Sequence, residues 1–236
     1  MSKSPSTSAP KTSLLDRLRG LVGNKRLLPL ERELVRRTIR ALDQDPKKGP
    51  TPDEILDASE RLTFKEGQLI ISEGEPEACL YVLLDGTAAV ERDDKVLERL
   101  REGEVFGEIA LLTNEPRMAT VRALESAVVL RIPGSMVDET LRDRLWDYAG
   151  ERRFMSLREN PIEEMDRRHH WWRQARTTLL RPGEYDAGSP WVFLYSGALQ
   201  VEGQDVRAPA LFPGGRLRVG EGEARLAMLP DPLEVP

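Results

Sequence analysis

The sequence predicts a mainly β protein with flanking helices, of the α+β class: a jelly-roll-like β-roll, a truncated second roll and an N-terminal helical arm. Three observations carry this prediction. Apolar residues recur at helical spacing before residue 59. From Leu62 the period falls towards two, and glycines follow at intervals of roughly ten residues, which is typical of an antiparallel roll or sandwich. A similar pattern of strands and glycine turns returns near the C-terminus.

The first 58 residues are predicted to form a disordered tail and a helical arm. Residues 1–12 are mainly Ser, Thr, Pro and Lys with almost nothing to bury, which is typical of disorder. In the arm, residues 13–58, helical spacing over 14–22 and over 30–42 predicts two amphipathic helices. After a turn-rich linker at residues 45–52, a third helix is expected to run to Ala58. Its candidate N-caps are Thr51 and Asp53.

The first roll is predicted to occupy residues 59–159, including a helix at its C-terminal end. Strands are expected at Phe64 and at residues 69–71, 80–84, 88–90, 96–100 and 121–132. The turns between them are expected at Asp85-Gly86, Asp93-Asp94, Glu102-Gly103 and Pro133-Gly134. From Ser135 to about Glu159 the spacing is helical again, so the roll should end in a helix.

The composition excludes several classes of protein. No window approaches about 18 consecutive apolar residues, so no transmembrane helix is expected. One cysteine and two histidines cannot supply a disulfide or a structural zinc site, and Cys79 is expected to be buried as a small hydrophobe. A cytoplasmic location is therefore expected. Because the sequence contains no P-loop, metal set or nucleophile–base pair, an enzyme is not expected.

The net charge of −5 hides an asymmetry along the chain. Residues 1–50 hold 12 Lys and Arg against 5 Asp and Glu, whereas the other residues carry a net charge of −12. An acidic body repels a phosphate backbone, so nucleic-acid binding over the whole surface is not expected. The basic arm could still contact an acidic partner, nucleic acid or an anionic lipid.

The most informative segment runs from Phe106 to Val121. It sets one carboxylate, Glu108, and one guanidinium, Arg117, in a largely apolar stretch that begins at Gly107. Burying such charges is costly unless a partner or a ligand satisfies them. Arg suits bidentate contact with a phosphate, Glu accepts hydrogen bonds from ribose hydroxyls, and one helical turn here would offer free N–H groups to an anion. Together these groups predict a pocket for a sugar phosphate.

With these residues in view, the sequence resembles the cyclic nucleotide-binding domain family, the β-roll of the cAMP-dependent protein kinase regulatory subunit and of the bacterial catabolite activator. The resemblance covers about residues 61–159. It rests on the opening segment 64–75, the strand and turn 80–86, Gly103 and the whole phosphate-binding cassette, residues 106–121. It implies a roll of the double-stranded β-helix type that binds a cyclic nucleotide.

Carried over residue by residue, the resemblance implies roles for the cassette residues. Glu108 would bind the ribose 2′-hydroxyl, and Arg117 would pair with the cyclic phosphate. Backbone N–H groups of Ile109, Ala110 and Met118 would complete the anion cradle. The implied ligand-binding set is Gly107, Glu108, Ile109, Ala110, Arg117, Met118 and Ala119. A second reading stays open, in which Glu108 and Arg117 form a structural ion pair in a roll without a ligand.

Met118 is informative for the choice of base. Guanine-selective members of the family often carry Thr or Ser directly after the cassette arginine, and Met offers no such hydroxyl. The expected ligand is therefore cAMP, with cGMP as the alternative. The pattern does not identify the residue that selects adenine. Candidates to stack on the base from the following helix are Arg142, Arg144, Trp146 and Tyr148.

Residues 177–236 repeat the pattern of the first roll, and residues 191–201 mirror 79–90 most clearly. Gly197 lies 111 residues after Gly86, whereas Pro230 lies only 97 residues after Pro133. The second copy is therefore 14 residues shorter between these points. The missing stretch is where the cassette would lie. A truncated, ligand-free roll is predicted, with an unrelated small β-barrel as the alternative.

Residues 160–176 are predicted to connect the rolls as an amphipathic helix with Trp171 and Trp172 buried. Basic residues beside paired tryptophans would also suit nucleic acid. Acidic neighbours in the same segment favour the helix. They are Glu163, Glu164 and Asp166.

Two classes of function follow from the sequence. In the first, the protein is a cAMP receptor that regulates a partner protein through ligand-dependent movement of the helices flanking the roll. In the second, it is a non-catalytic scaffold that keeps the fold without a ligand. A transcription regulator would need a C-terminal helix-turn-helix, and the β-like pattern predicts no DNA-binding domain. The partner is expected to contact the basic arm or the C-terminal roll, and a homodimer stays open.

Overall fold

The computed structural model describes residues 27–42 and 49–234, which form two eight-stranded β-rolls with helices before and between them. The predicted tail, the helix at 14–22 and residues 45–48 of the linker lie outside the described residues. In the part of the chain that is described, every helix is too short or too polar to cross a bilayer. Within the same ranges, no group of three or more His, Cys, Asp or Glu is placed to hold a metal ion.

Among the described residues, two helices precede the first roll: α1 covers Pro29–Leu42 and α2 covers Pro52–Ala58. Thr51 caps α2 with a capping box. Its hydroxyl accepts a hydrogen bond from the N–H of Glu54, and the Glu54 carboxylate accepts one from the N–H of Thr51. The two predicted helices are confirmed, with Thr51 rather than Asp53 as the cap.

The first roll consists of two four-stranded antiparallel sheets. Its strands are β1 (Glu60–Phe64), β2 (Leu69–Ile71), β3 (Cys79–Asp85), β4 (Ala88–Arg92), β5 (Lys95–Leu100), β6 (Val105–Phe106), β7 (Thr120–Ala123) and β8 (Ala127–Pro133). The sheet orders are β1-β8-β3-β6 and β2-β7-β4-β5. The predicted strands are confirmed, although 121–132 divides into β7 and β8, and β6 was not predicted. A short helix, α3 (Glu108–Thr113), lies between β6 and β7.

β3 is apolar along its length because both of its faces are buried. Successive side chains of a strand point to opposite faces. Tyr81 and Leu83 lie in the core between the two sheets, whereas Leu80 and Val82 pack in a second core with α1 and α2. Cys79 is buried, as predicted.

The helix predicted over 135–159 is shorter than expected at both ends. It is α4, Glu139–Met155, and a 3-10 turn at Gly134–Met136 precedes it. α4 begins late because the Asp138 carboxylate caps it, accepting a hydrogen bond from the N–H of Leu141.

The connecting helix predicted over 160–176 is also shorter. It is α5, Met165–Trp172, and Arg176 already belongs to the second roll. Trp171 is fully buried, as predicted, whereas Trp172 is only partly buried.

The second roll repeats the topology of the first. Its strands are β9 (Arg176–Leu180), β10 (Gly183–Asp186), β11 (Trp191–Ser196), β12 (Ala198–Val201), β13 (Gln204–Arg207), β14 (Ala210–Pro213), β15 (Arg216–Val219) and β16 (Ala224–Leu229). The sheet orders are β9-β16-β11-β14 and β10-β15-β12-β13, which are those of the first roll with eight added to each strand number. The predicted repeat is confirmed, and an unrelated barrel is excluded.

The turns after β3 and β11 also correspond. Gly86 and Gly197 adopt φ angles of +83° and +84°. A Cβ on Gly86 would lie 2.4 Å from the carbonyl oxygen of Ser126, and one on Gly197 would lie 2.3 Å from that of Glu223. Each turn therefore needs glycine for its φ angle and for the close approach of a second backbone.

The two rolls differ between their sixth and seventh strands. Residues 107–119 connect β6 to β7, whereas Gly214 and Gly215 alone connect β14 to β15. The second roll therefore has the same eight strands as the first, and most of its truncation lies at the cassette.

Candidate functional site

The candidate site is the connection between β6 and β7. It begins at Gly107, which has a φ of +83°, and continues directly into α3. A Cβ at this position would lie 2.8 Å from Nη1 of Arg117 and 3.2 Å from the Tyr81 ring. Glycine is required here because the main chain passes directly against the guanidinium.

Arg117 is held through its backbone and its side chain. Its N–H donates to the carbonyl of Glu75 at 3.0 Å, and its own carbonyl accepts from the N–H of Gly74 at 2.8 Å. In the buried side chain, Nη1 donates to the carbonyl of Gly107 at 2.6 Å and Nη2 to that of Cys79 at 3.0 Å. The Nε–H is buried and has no partner among the described residues.

A carboxylate and a ring flank the Arg117 guanidinium. The Tyr81 ring centre lies 5.6 Å from its Cζ, and Oε2 of Glu77 lies 3.7 Å from its Nη2. Glu77 also accepts hydrogen bonds from Tyr81 at 2.8 Å and from Nη2 of Arg131 at 2.7 Å. Burial would raise the pKa of Glu77, but the hydrogen bonds from Arg131 and Tyr81 outweigh it and lower that pKa. The carboxylate therefore stays charged and helps to orient Arg117.

Glu108, the first residue of α3, is only 1% exposed. Its Oε2 accepts a hydrogen bond from Nη1 of Arg152 at 2.9 Å, whereas its Oε1 is buried and has no partner among the described residues. Arg152 also donates to Glu98 at 2.9 Å. Burial would lower the pKa of Arg152, but the carboxylates of Glu108 and Glu98 outweigh it and raise that pKa. The arginine is therefore charged and orients Glu108.

Glu108 and Arg117 have different partners in the structure. The carboxylate pairs with Arg152, and the guanidinium bonds two backbone carbonyls and lies near Glu77. The ion pair between Glu108 and Arg117 that the sequence left open is therefore absent from the described contacts of both residues.

All seven residues of the predicted ligand-binding set line one cavity. They are Gly107, Glu108, Ile109, Ala110, Arg117, Met118 and Ala119. The other walls come from strands of the roll and from the last turn of α4. They include Ile71, Val90, Leu97, Glu98, Arg152, Met155 and Ser156. The cavity therefore combines apolar walls with a buried carboxylate and a buried guanidinium.

The four residues considered for stacking on the base are not part of this cavity. Arg142, Arg144, Trp146 and Tyr148 belong to earlier turns of α4 and do not line it. Arg142 instead donates to the carbonyl of Leu111 at 3.2 Å. Only the last turn of α4 lines the cavity, and stacking on the base by one of these four residues stays a prediction.

Sequence reasoning missed Arg152, Met155 and Ser156. The adjacent basic residues Arg152 and Arg153 near the end of the predicted helix were the available signal. Arg153 also reaches the cassette segment, since its Nη2 donates to Glu115 at 3.0 Å.

Comparison with known proteins finds similar sequences for part of the chain. Residues 61–144 match the family model of the cyclic nucleotide-binding domain. A cGMP-dependent protein kinase of Eimeria tenella is 43% identical over 79 residues, 34% of this chain and 8% of that protein. A cAMP-dependent protein kinase regulatory subunit of Hypocrea atroviridis is 32% identical over 116 residues, 49% of this chain and 25% of that protein.

A solved structure, the regulatory domain of Toxoplasma gondii PKA in complex with cAMP, aligns with 87% of this chain and 91% of its own, at 19% identity and a TM-score of 0.45. The chain spans between 8% and 25% of the length of the first curated relatives it matches. The matched segment holds the first roll, the cassette and the start of α4. Residues 61–144 therefore belong to the cyclic nucleotide-binding domain family.

Proposed function

We propose that the first roll binds one cyclic nucleotide, cAMP in preference to cGMP, and that the chain is a non-catalytic regulator of a partner protein. The observation that carries this proposal is the pair of buried charged side chains, Glu108 and Arg117. Each lines the same cavity and has one polar atom without a partner among the described residues. Such atoms are costly to bury unless a ligand satisfies them.

Arg117 would bind the cyclic phosphate. Two of its five N–H groups are used by the carbonyls of Gly107 and Cys79, so the remaining ones, including Nε–H, can donate to phosphate oxygens. The nearest carboxylate oxygen, on Glu77, is 3.7 Å away, so the positive charge is only partly compensated. An anionic ligand would complete that compensation.

Glu108 would bind the ribose. Its Oε1 is the unpartnered acceptor, and a ribose hydroxyl is a donor that fits it. Arg152 already holds the other oxygen, so the carboxylate is oriented before a ligand arrives. This arrangement lowers the entropic cost of binding.

The preference for cAMP rests on Met118. This residue lines the cavity and has no hydroxyl that could bond a guanine edge. The names of the relatives point in both directions, because one is a cGMP-dependent kinase and another is a regulatory subunit of a cAMP-dependent kinase. The ligand preference is therefore inferred from the side chain rather than from the relatives.

Regulation would act through α4. Its last turn supplies Arg152 and Met155 to the cavity wall, and its C-cap supplies Ser156, so a bound nucleotide would contact the end of this helix and could shift it. The name of one relative, a kinase regulatory subunit, suggests the catalytic chain of a protein kinase as the class of partner. The basic N-terminal arm and the second roll are the proposed contact regions.

A scaffold without a ligand is the second candidate function. It is favoured by the contacts that the site makes on its own, since Arg117 already bonds two carbonyls and Glu108 already pairs with Arg152.

Calorimetry of the full chain with cAMP, cGMP and the non-cyclic 5′-AMP tests the proposal. We expect one cAMP per chain, weaker binding of cGMP and little binding of 5′-AMP. Two cAMP per chain would contradict a single site, since the second roll has Gly214 and Gly215 in place of a cassette. The absence of binding heat and of a thermal shift at millimolar cAMP and cGMP would overturn the receptor and leave the scaffold.

A further inference from the structure

All four tryptophans of the chain lie at the contact between the helices and the second roll. This contact, which we call the aromatic joint, consists of Trp146, Phe154, Trp171, Trp172, Trp191, Phe193 and Tyr195. Phe154, in the last turn of α4, is at its centre. Its ring lies 5.2 Å from that of Phe193 and 5.3 Å from those of Trp171 and Trp172.

Gly150 lets the second roll approach the backbone of α4. Glycine is unfavourable inside a helix, and this one lies in the interior of α4. A Cβ added here would lie 3.3 Å from the rings of both Tyr195 and Trp172. The second roll therefore packs directly against the helix two residues before Arg152.

A charged contact supplements the aromatic one. Arg225, on β16 of the second roll, donates to Oδ1 of Asp143 at 2.5 Å, and its Cζ lies 5.4 Å from the ring centre of Trp146. Both partners are on α4. The side chain of Arg225 is 18% exposed and that of Asp143 is 61% exposed, so the ion pair reaches the surface while the guanidinium is largely covered.

The same part of α4 lines the nucleotide cavity. Arg152 bonds Glu108, and Met155 and Ser156 are in the cavity wall, while Phe154 between them lies in the aromatic joint. Arg168 of α5 donates to the carbonyl of Met155 at 2.7 Å, which fixes the end of the helix. One helix end therefore contacts the cavity and the second roll at once.

We propose that the second roll is a positioning element for the nucleotide site of the first roll. By holding α4 through Arg225 and the aromatic joint, it places Arg152 against Glu108 and keeps Met155 at the cavity wall. Arg225 and Asp143 are then positioning residues that never touch the nucleotide. This inference rests on the proposed function, and it gives the roll without a cassette a role in cAMP affinity.

The test measures the Kd of cAMP by calorimetry for the full chain and for Arg225→Ala and Asp143→Asn. We expect each variant to weaken binding about fivefold or more, the lower end of common coupling between sites. Arg181→Ala is the matched control, because Arg181 is on the same roll and forms an exposed pair with Glu223 at 3.7 Å. It should leave the Kd unchanged.

A double-mutant cycle separates positioning from a general structural role. If the second roll acts through Arg152, Arg225→Ala should have much less effect on the Kd when Arg152→Ala is already present. Full additivity of the two substitutions, or a wild-type Kd for both Arg225→Ala and Asp143→Asn, would overturn the inference while cAMP binding stands. An absence of cAMP binding by the wild type would instead overturn the proposed function itself.

Asp143→Asn decides the matter if Arg225→Ala does not fold, because the Asp143 side chain is 61% exposed on α4 and its replacement removes only the charged contact with the second roll. A weaker Kd of cAMP for this variant would support the inference, and a wild-type Kd would overturn it.

Discussion

Arg152 donates a hydrogen bond of 2.9 Å to Glu108, a residue 44 positions earlier in the chain. The bond joins the last turn of α4 to the first turn of α3. It satisfies one carboxylate oxygen of Glu108 and leaves the other buried without a partner among the described residues. The protein thus provides half of the hydrogen-bonding requirement of this carboxylate, and the proposed ligand provides the rest.

Replacing Arg117 should affect nucleotide binding more than replacing any other cassette residue. Arg117→Ala is expected to weaken cAMP binding by about 2–5 kcal/mol, because a partly buried phosphate is left without its cation. Glu108→Ala should cost less, since the nucleotide loses only a hydroxyl contact and Arg152, although it loses Glu108, keeps its pair with Glu98. Calorimetry measures both effects. Thermal unfolding must accompany it, because Arg117 also holds the carbonyls of Gly107 and Cys79.

Arg122→Ala is the matched control for Arg117→Ala. Arg122 is on β7, pairs with Glu91 at 3.0 Å and does not line the cavity. Its replacement should leave the Kd of cAMP unchanged. A folded Arg117→Ala protein that binds cAMP as tightly as the wild type would contradict the assignment of the phosphate site.

Base preference should depend on Met118. Met118→Thr introduces a hydroxyl next to Arg117, where it can bond a guanine edge. The ratio of the cGMP and cAMP dissociation constants should therefore fall towards one or below it. Competition titrations with both nucleotides give this ratio, and Met118→Leu is the control without a hydroxyl. A wild type that prefers cGMP would refute the prediction.

Glu77 should make the stability of the first roll depend on pH. Its pKa in the folded protein is below the ordinary value of 4.5, despite burial, because Arg131 and Tyr81 donate to it. Its contribution to stability is therefore present above pH 4.5 and is lost as the pH falls through the lower, folded-state pKa. Urea unfolding between pH 7 and pH 3 should show a smaller loss for Glu77→Gln than for the wild type.

The chain holds 40 Asp and Glu residues, so the Glu77 experiment needs a comparison. Glu66→Gln, at an exposed position in the turn before β2, serves this purpose. It should follow the wild-type pH profile. Parallel profiles for Glu77→Gln and the wild type would show that Glu77 contributes no pH-dependent stability.

Local signals explain why most of the fold could be predicted. Alternating apolar residues and spaced glycines predicted β2 at its observed bounds and most of the other strands. The bounds of α4 and α5 were less accurate, because the Asp138 cap and the start of β9 depend on local hydrogen bonds that helical periodicity does not contain. The repeat was predictable since Gly86 and Gly197 meet the same steric need.

The cassette residues of the candidate site could be predicted from the sequence, whereas the residues that α4 contributes could not. Glu108 and Arg117 are nine positions apart in one segment, so their types and spacing carry the signal. Arg152 depends on where α4 ends and how it packs, and no pattern pairs it with Glu108. The aromatic joint could not be predicted either, because its residues come from distant parts of the chain and come together only in the folded protein.

Gly197→Ala should destabilise the second roll more than Gly203→Ala does, because only the Cβ at position 197 would clash with a second backbone. Gly197 and Gly203 have φ angles of +84° and +85°, so alanine suffers the same left-handed strain at both, about 1–2 kcal/mol. A Cβ at Gly197 would lie 2.3 Å from the carbonyl oxygen of Glu223, whereas nothing lies within 4 Å of one at Gly203. Gly197→Ala must therefore also separate β16 from the turn after β11.

Urea unfolding followed by circular dichroism compares the two variants. The loss in free energy of unfolding should be clearly larger for Gly197→Ala than for Gly203→Ala, and the difference measures the close approach of the two backbones. Gly86→Ala and Gly67→Ala offer the same comparison in the first roll, with φ angles of +83° and +78°. Since a Cβ meets the Ser126 carbonyl at Gly86 and open space at Gly67, the same order is expected there. Equal losses within each pair would mean that φ alone requires these glycines.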